Sequence, residues 1–367
     1  MDKLIGLIAA NFTDETFGEL VQMRPVASLP YAGRYRMVDF PLSNMVNSGV
    51  GTVGLITPYM YRSLLDHVGV GKEWTLSRKV GGMFVLPGSI YGLKNVHGKF
   101  LLRDMQQNRV FFDRGGKGLT VISGCCKVFN IDYRKVAEYH EKNHNDITLI
   151  YKRGFAPEGD GELFLNLEEN GRVKELGVYT EGADCCFLDS LILSTDLLRN
   201  LLDWYDAMPY MDLVEVIMEN LKTLRVGSYE FTGYVGALNG IRSYMEINMD
   251  VLKPAVQKEL FTADRPISTK SQDYAPSKYM PGARVKNSLI PTGCILEGTV
   301  ENSVLCRGVH VKKGAVIRNS IIMQKCVIGE GAVLDHVICD KYTTFHDGIQ
   351  ISGTAEYPAT IGKYQEI

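Results

Sequence analysis

A chain of 367 residues with 45% apolar and 22% charged side chains is long enough for two ordinary domains with real cores. Lys and Arg number 40 against 42 Asp and Glu, a net charge of −2, so no basic field exists to draw nucleic acid or an anionic membrane. No apolar run approaches the roughly 20 residues of a membrane span, and Leu4 to Ala10 is too short for a signal peptide, so a cytoplasmic protein that works on small molecules or other proteins is expected.

The first predicted strand, "KLIGLIAA", runs into "NFTDETFGEL". An α/β domain that handles phosphates usually places glycines and a cation at such a point. Here Ala10 to Leu20 holds one glycine, Gly18, no Arg or Lys, and the carboxylates Asp14, Glu15 and Glu19. Apolar runs then alternate with amphipathic ones: "PLSNMVNSG", "VGTVGLITPY", "LTVISG", "DYRKVAEYHEKNHN" and "ITLIYKR". That rhythm predicts a mostly parallel sheet with helices on both faces. "LFLNLEENGRVKEL" reads as a hairpin turning at Asn170-Gly171, and "DLVEVIMENLKTL" returns to helical spacing. The texture loosens from Pro254 to Pro281, which predicts an α/β domain over 1–255, a linker over 256–280 and a second domain over 281–367.

The second domain repeats with a period of six. Val304, Val316, Ile322, Ile328 and Leu334 are spaced by six or its multiple, with His310 breaking the series. Small residues recur at Gly308, Gly314, Ser320, Cys326 and Ala332, where they let the chain turn a corner. This is the signature of a left-handed parallel β-helix of hexapeptide repeats, and its open coils predict an oligomer. The eight cysteines, including the adjacent pairs Cys125-Cys126 and Cys185-Cys186, lie in no disulfide or C-x-x-C spacing and read as buried thiols. His140 and His144 stand at i, i+4, but no third metal ligand accompanies them.

"RPVASLPYAGRYRMVDFPLSNMVNSG", "YMEINMDVL" and "GCILEGTVENSVLCRGVHVKKGAVIRNSIIM" together resemble, over nearly the whole chain, the bacterial ADP-glucose pyrophosphorylases, or glucose-1-phosphate adenylyltransferases. The resemblance implies a Rossmann-like nucleotidyltransferase domain followed by the β-helix. Each departure from the family pattern falls on chemistry. The family's G-G-x-G-x-R-L-x-P-L-T phosphate loop is replaced by the acidic stretch above. Its R-A-K-P lysine aligns with Val26, and its F-V-E-K-P sugar-phosphate lysine falls near Glu181. Of the two aspartates that hold Mg²⁺, the first aligns with Cys125 and the second with Ala237, and neither a thiol nor a methyl group suits a hard cation.

Losses on separate segments resemble the D-type subunits of the family. The resemblance implies a chain with little activity of its own that modulates a catalytic C-type partner in a heterotetramer, Mg²⁺ being needed only by that partner. Arg24 and Arg36 match arginines that contact anionic effectors in active relatives, so a phosphorylated metabolite is the expected effector, structural ion pairing with Asp39 or Asp14 being the alternative. In "NVHGKFLLRDMQQNRVFF", Lys99 and Arg103 offer charge for a new ligand or simply a solvated face. Two other functions are carried: a self-sufficient adenylyltransferase with a rearranged site, and, more distantly, a hexapeptide-repeat acyltransferase using His310, His336 or His346 as a base.

Overall fold

The computed structural model describes residues 4–12, 15–57, 60–88, 99–157, 161–178 and 184–367. The main sheet has nine strands: β1 (Leu4–Ala9), β2 (Thr52–Thr57), β3 (Gly82–Pro87), β4 (Leu119–Gly124), β5 (Ile147–Arg153), β6 (Leu163–Leu167), β7 (Val173–Val178), β8 (Cys185–Ser194) and β9 (Val226–Glu230). They run in the order β7-β6-β8-β4-β1-β2-β3, with β5 also against β8 and β9 on β5. β1 is buried throughout, as a central strand covered on both faces must be. Ile5, Leu7 and Ala9 enter one apolar cluster with the helices Thr195–Trp204 and Leu213–Glu219. Leu4 and Ile8 enter the other, beneath Asp39–Asn47 and Tyr133–Lys142.

The sheet is parallel through β3-β2-β1-β4, but β8 runs antiparallel to both β4 and β5. Its register slips between Phe187 and Leu191, and within that bulge Asp189 holds a φ of 50°, a left-handed conformation that L-residues with a side chain resist. The hairpin β6–β7 forms as expected, with Gly171 at φ 80° in its turn.

Part of the segment predicted as a linker is ordered secondary structure. Pro254–Leu260 is a helix with proline in its first turn, and Lys278–Tyr279 is already a strand of the second domain. The stretch between is fastened to the α/β domain: Asn130 Nδ2 donates to the carbonyls of Leu260 (2.8 Å) and Arg265 (2.9 Å).

Three all-parallel sheets wind into the β-helix. Its coil is 17 residues, as the serine ladder records: Ser320 N donates to Ser303 Oγ and Val337 N to Ser320 Oγ, each 17 residues on. A strict period of six would need 18, so the predicted phase drifts by one residue per coil. The interior residue of the early coil is Val311, fully buried with Leu305, Ile317, Ile322, Ile328 and Leu334. His310 breaks no interior series; it points outward and meets Glu297 Oε1 at 2.9 Å. The corners shift likewise. Gly308 and Gly314 turn the chain as expected, but the left-handed residues further on are Asn319, Lys325 and Gly331, each preceding the small residue expected there.

Candidate functional site

Two regions stand where the elements converge. The first is the C-terminal end of the parallel strands, the usual ligand edge of such a sheet. The acidic stretch after β1 forms no open phosphate loop. Glu15–Val21 is a short 3₁₀ segment with Phe17 and Leu20 buried, Glu15 and Glu19 exposed, and Thr16 Oγ1 tied to the Asn239 carbonyl (3.2 Å). Val26 is wholly buried in apolar company, so no side chain from that position reaches this edge. Cys125, just past β4, packs in the cluster with Phe129 and Leu188, and burial drives its thiol well above the ordinary range. Ala237 is paired across an antiparallel two-residue ladder with Lys127. Asp14 and Glu181 lie outside the described residues.

Between these positions stands a group of four charges, three of them buried and Lys99 half-buried. Lys127 Nζ donates to Glu162 Oε2 (2.5 Å) and Asp189 Oδ2 (3.0 Å), and Lys99 Nζ donates to the same Asp189 oxygen (2.6 Å). Burial works against the charge on both lysines, but Asp189 and Glu162 outweigh it and raise both pKa values; the lysines in turn hold Asp189 below the usual carboxylate range despite its burial. Cys126 and Cys186 beside them are pushed up to about 12, chiefly by burial, and are no nucleophiles. A hard divalent cation needs free oxygen donors. Cys125 and Ala237 provide none, and both neighbouring carboxylates are already held by ammonium groups, so these residues do not fit Mg²⁺.

The second region is a cleft of about 570 Å³ between the α/β domain and the β-helix. Arg34 and Arg36 line it from one side and Arg307, Lys325 and Lys341 from the other, with Asp273 the one carboxylate among its lining residues. Arg307 and Lys341 stand two coils apart, and Lys325 and Tyr342, one coil apart, turn the adjoining corner with φ of 59° and 62°. Neither is glycine, so the corner carries strain and fixes the Lys325 ammonium over the Tyr342 ring, 5.7 Å from its centroid. Arg36 donates to Ser63 O (2.6 Å) and Ser63 Oγ (3.2 Å); burial and then Arg24 lower its pKa to about 10. Burial, Arg36 and Arg24 together bring Lys341 down to about 7. A cluster of cations that depress one another is the electrostatic form of an anion site.

The two arginines read from the sequence part company here. Arg36 lines the cleft. Arg24 lies behind it, fully buried, its Nη2 on Asp340 Oδ2 (2.7 Å) and its Nε on the Leu20 carbonyl (2.9 Å). Its partner is thus not Asp39, and Asp14 lies outside the described residues; Asp39 receives the Arg36 backbone N–H (2.9 Å) and meets His67 Nε2 (2.6 Å). Arg24 Nη1 is buried with no partner among the described residues. Of the remaining candidates, His140 turns inward to Thr148 Oγ1 (2.9 Å), while His144 falls beyond the helix end at Lys142, so the two do not converge. His336 occupies a β-helix corner at φ 51° beside Asp335. Arg103 stacks on Tyr210, and Lys99 joins the charge group at the sheet's ligand edge. Sequence reading missed Lys127, Arg307, Lys325 and Lys341. For Arg307 and Lys341 a signal existed, since they are separated by two coils of 17 residues with Gln324 between them.

Residues 275–360 match the family described as GlmU-like, C-terminal hexapeptide. Over 363 residues the chain is 33% identical to the glycogen biosynthesis protein GlgD of Bacillus subtilis (strain 168), an alignment covering 99% of this chain and 96% of that protein. The chain belongs to the GlgD family. A second GlgD protein, from Geobacillus stearothermophilus, is 37% identical over 316 residues, 86% of this chain and 83% of its own length. The GlgD scaffold is also that of an enzyme family: the glucose-1-phosphate adenylyltransferase of Fervidobacterium nodosum is 28% identical over 368 residues, 96% of this chain and 86% of that protein. Among the described residues no helix is long and apolar enough to cross a membrane.

Proposed function

We propose that this chain is a non-catalytic or weakly catalytic subunit for glycogen biosynthesis. It assembles in the cytoplasm with a catalytic C-type glucose-1-phosphate adenylyltransferase as a heterotetramer and modulates the conversion of ATP and glucose-1-phosphate to ADP-glucose and pyrophosphate. The observation that carries this reading is the make-up of the sheet's ligand edge. Adenylyl transfer must gather a triphosphate, a sugar phosphate and Mg²⁺ and stabilise charge that develops in flight. This chain has there a packed 3₁₀ segment with exposed carboxylates, a buried valine, a buried thiol, a methyl group and lysines already neutralised by carboxylates.

The interdomain cleft supplies the regulatory half. A phosphorylated metabolite entering it meets Arg34, Arg36, Arg307, Lys325 and Lys341 and relieves their mutual repulsion. The cleft has a wall from each domain, so its occupant favours one arrangement of the two, which is what modulation of a neighbouring subunit requires.

The test is ADP-glucose formation by this chain alone, by the C-type chain alone and by both together. The expected result is turnover by the lone chain at least about 100-fold below that of its partner, and a mixed oligomer whose rate, substrate affinity or effector response differs from that of the C-type chain. Robust turnover by the lone chain, or failure of the two to co-purify, overturns the reading.

A further inference from the structure

Three charges buried at the ligand edge of the sheet, with the half-buried Lys99 beside them, need a reason, because taking ions out of water is costly and buried pairs are weak evidence for stability. Lys127 is the residue facing Ala237, the position where the resemblance sets the second metal-holding aspartate, and it follows Cys125, the position of the first, by two. Directly opposed residues of an antiparallel pair lie with Cβ atoms about 5 Å apart on one face. The Lys127 side chain therefore leaves the ladder on the face an Ala237 carboxylate would use. Its ammonium is gripped as a cation is gripped, by one oxygen from Glu162 and one from Asp189 at 2.5 and 3.0 Å. Asp189 reaches that point from a bulge in which a non-glycine residue holds φ 50°, and such strain persists only where the surroundings enforce it. With Lys99 the group is balanced, two positive charges against two negative.

The geometry points to Lys127 as a resident cation: its ammonium takes the place that a divalent metal holds in catalytic relatives and, by filling the Glu162–Asp189 grip, excludes that metal from this chain. The inference rests on reading this edge as the degenerate counterpart of the family's metal site. It goes beyond that reading, since lost ligands alone would leave a vacant acidic pocket, whereas an internal ammonium keeps the edge closed and assembled without any metal. Among the described residues, an entering divalent ion would meet two ammonium groups and no carboxylate that an ammonium does not already hold.

Mn²⁺ alone is the probe, with binding to the full chain followed by electron paramagnetic resonance. Wild-type chain should show no Mn²⁺ site at this edge, and neither Mg²⁺ nor EDTA should move its melting temperature. Lys127→Ala should bind Mn²⁺ at least tenfold more tightly than wild type, with the gain lost in Lys127→Ala/Glu162→Gln. Lys127→Met, which leaves one positive charge against two negative, should melt well below wild type, and Lys127→Met/Glu162→Gln, balanced again, should recover part of the loss. The inference is overturned by wild-type Mn²⁺ binding that Glu162→Gln abolishes, by a folded Lys127→Ala that gains no Mn²⁺, or by a balanced double variant no more stable than Lys127→Met. Should Lys127→Ala not fold, the wild-type measurement and the Met/Gln pair decide. Wild-type Mn²⁺ binding in a chain that makes no ADP-glucose removes this inference alone; robust turnover removes the parent reading.

Discussion

Lys341 faces the interdomain cleft with its pKa brought down to about 7 from an ordinary 10.5 by burial, Arg36 and Arg24. Between those two values the unfolded chain holds the proton that the folded chain has released, so this residue makes stability rise with pH across that window. Below about 7 the folded protein carries the full cost of the charge. An anion in the cleft favours the ammonium, so binding above pH 7 takes up a proton. Sulfate does not itself titrate there and is the clean probe. Its affinity should fall by up to about tenfold per pH unit above 7, and calorimetry in buffers of different ionisation enthalpy should register proton uptake; Lys341→Met should bind more weakly and lose the pH dependence. Behind the cleft, Asp340→Ala leaves Arg24 buried and unpaired. The expected loss is about 3–5 kcal/mol by urea denaturation, smaller when Arg24 is replaced by Met in the same chain. At this scale the sequence was readable where it showed a residue type unfit for a known task, as at Val26, Cys125 and Ala237. Lys127 was not readable, because its role depends on Glu162 and Asp189, 35 and 62 residues away, and only the bulge in β8 brings the second of these into reach.

The elements were legible in type and less so in phase. Six-residue periodicity identifies a β-helix, since each flat side must present an apolar residue to the interior, yet a coil of 17 slips one residue against three sixes. That slip moved the expected corners and hid the alignment of Arg307, Gln324 and Lys341 on one wall of the cleft. Likewise the strand alternation showed a mainly parallel sheet but not the reversal of β8, because a fully buried strand looks the same in either direction. Between the domains, "YAGRY" turns at Gly33, whose φ is 71°, and a Cβ there would lie 2.5 Å from the Leu305 carbonyl oxygen of the β-helix. Gly33→Ala should destabilise the protein by at least about 1–2 kcal/mol from the left-handed backbone alone, with the clash added. Denaturation should show the loss, and weakened sulfate binding should accompany it, because the same turn carries Arg34 and Arg36 into the cleft. Unchanged stability would mean that the β-helix can retreat without cost.

Across the whole molecule, one apolar cluster belongs to both domains. Phe17, Val26, Phe40 and Tyr244 share it with Cys306, Ile321, Met323 and Ile338 of the β-helix. The Arg24–Asp340 pair crosses the same boundary with both side chains buried. Domains joined by a small polar interface unfold separately, whereas a shared core with a buried ion pair makes them one cooperative unit. The chain should therefore melt in a single calorimetric transition with calorimetric and van't Hoff enthalpies about equal. Sulfate in the cleft should raise that single melting temperature, since it binds only where both walls stand in place. Asp340→Ala should lower it and, by unpairing the boundary, split the transition in two. Two transitions in the wild-type chain would show that the domains are uncoupled, and the interdomain cleft would then lack the mechanical link through which an anion bound there alters a neighbouring subunit.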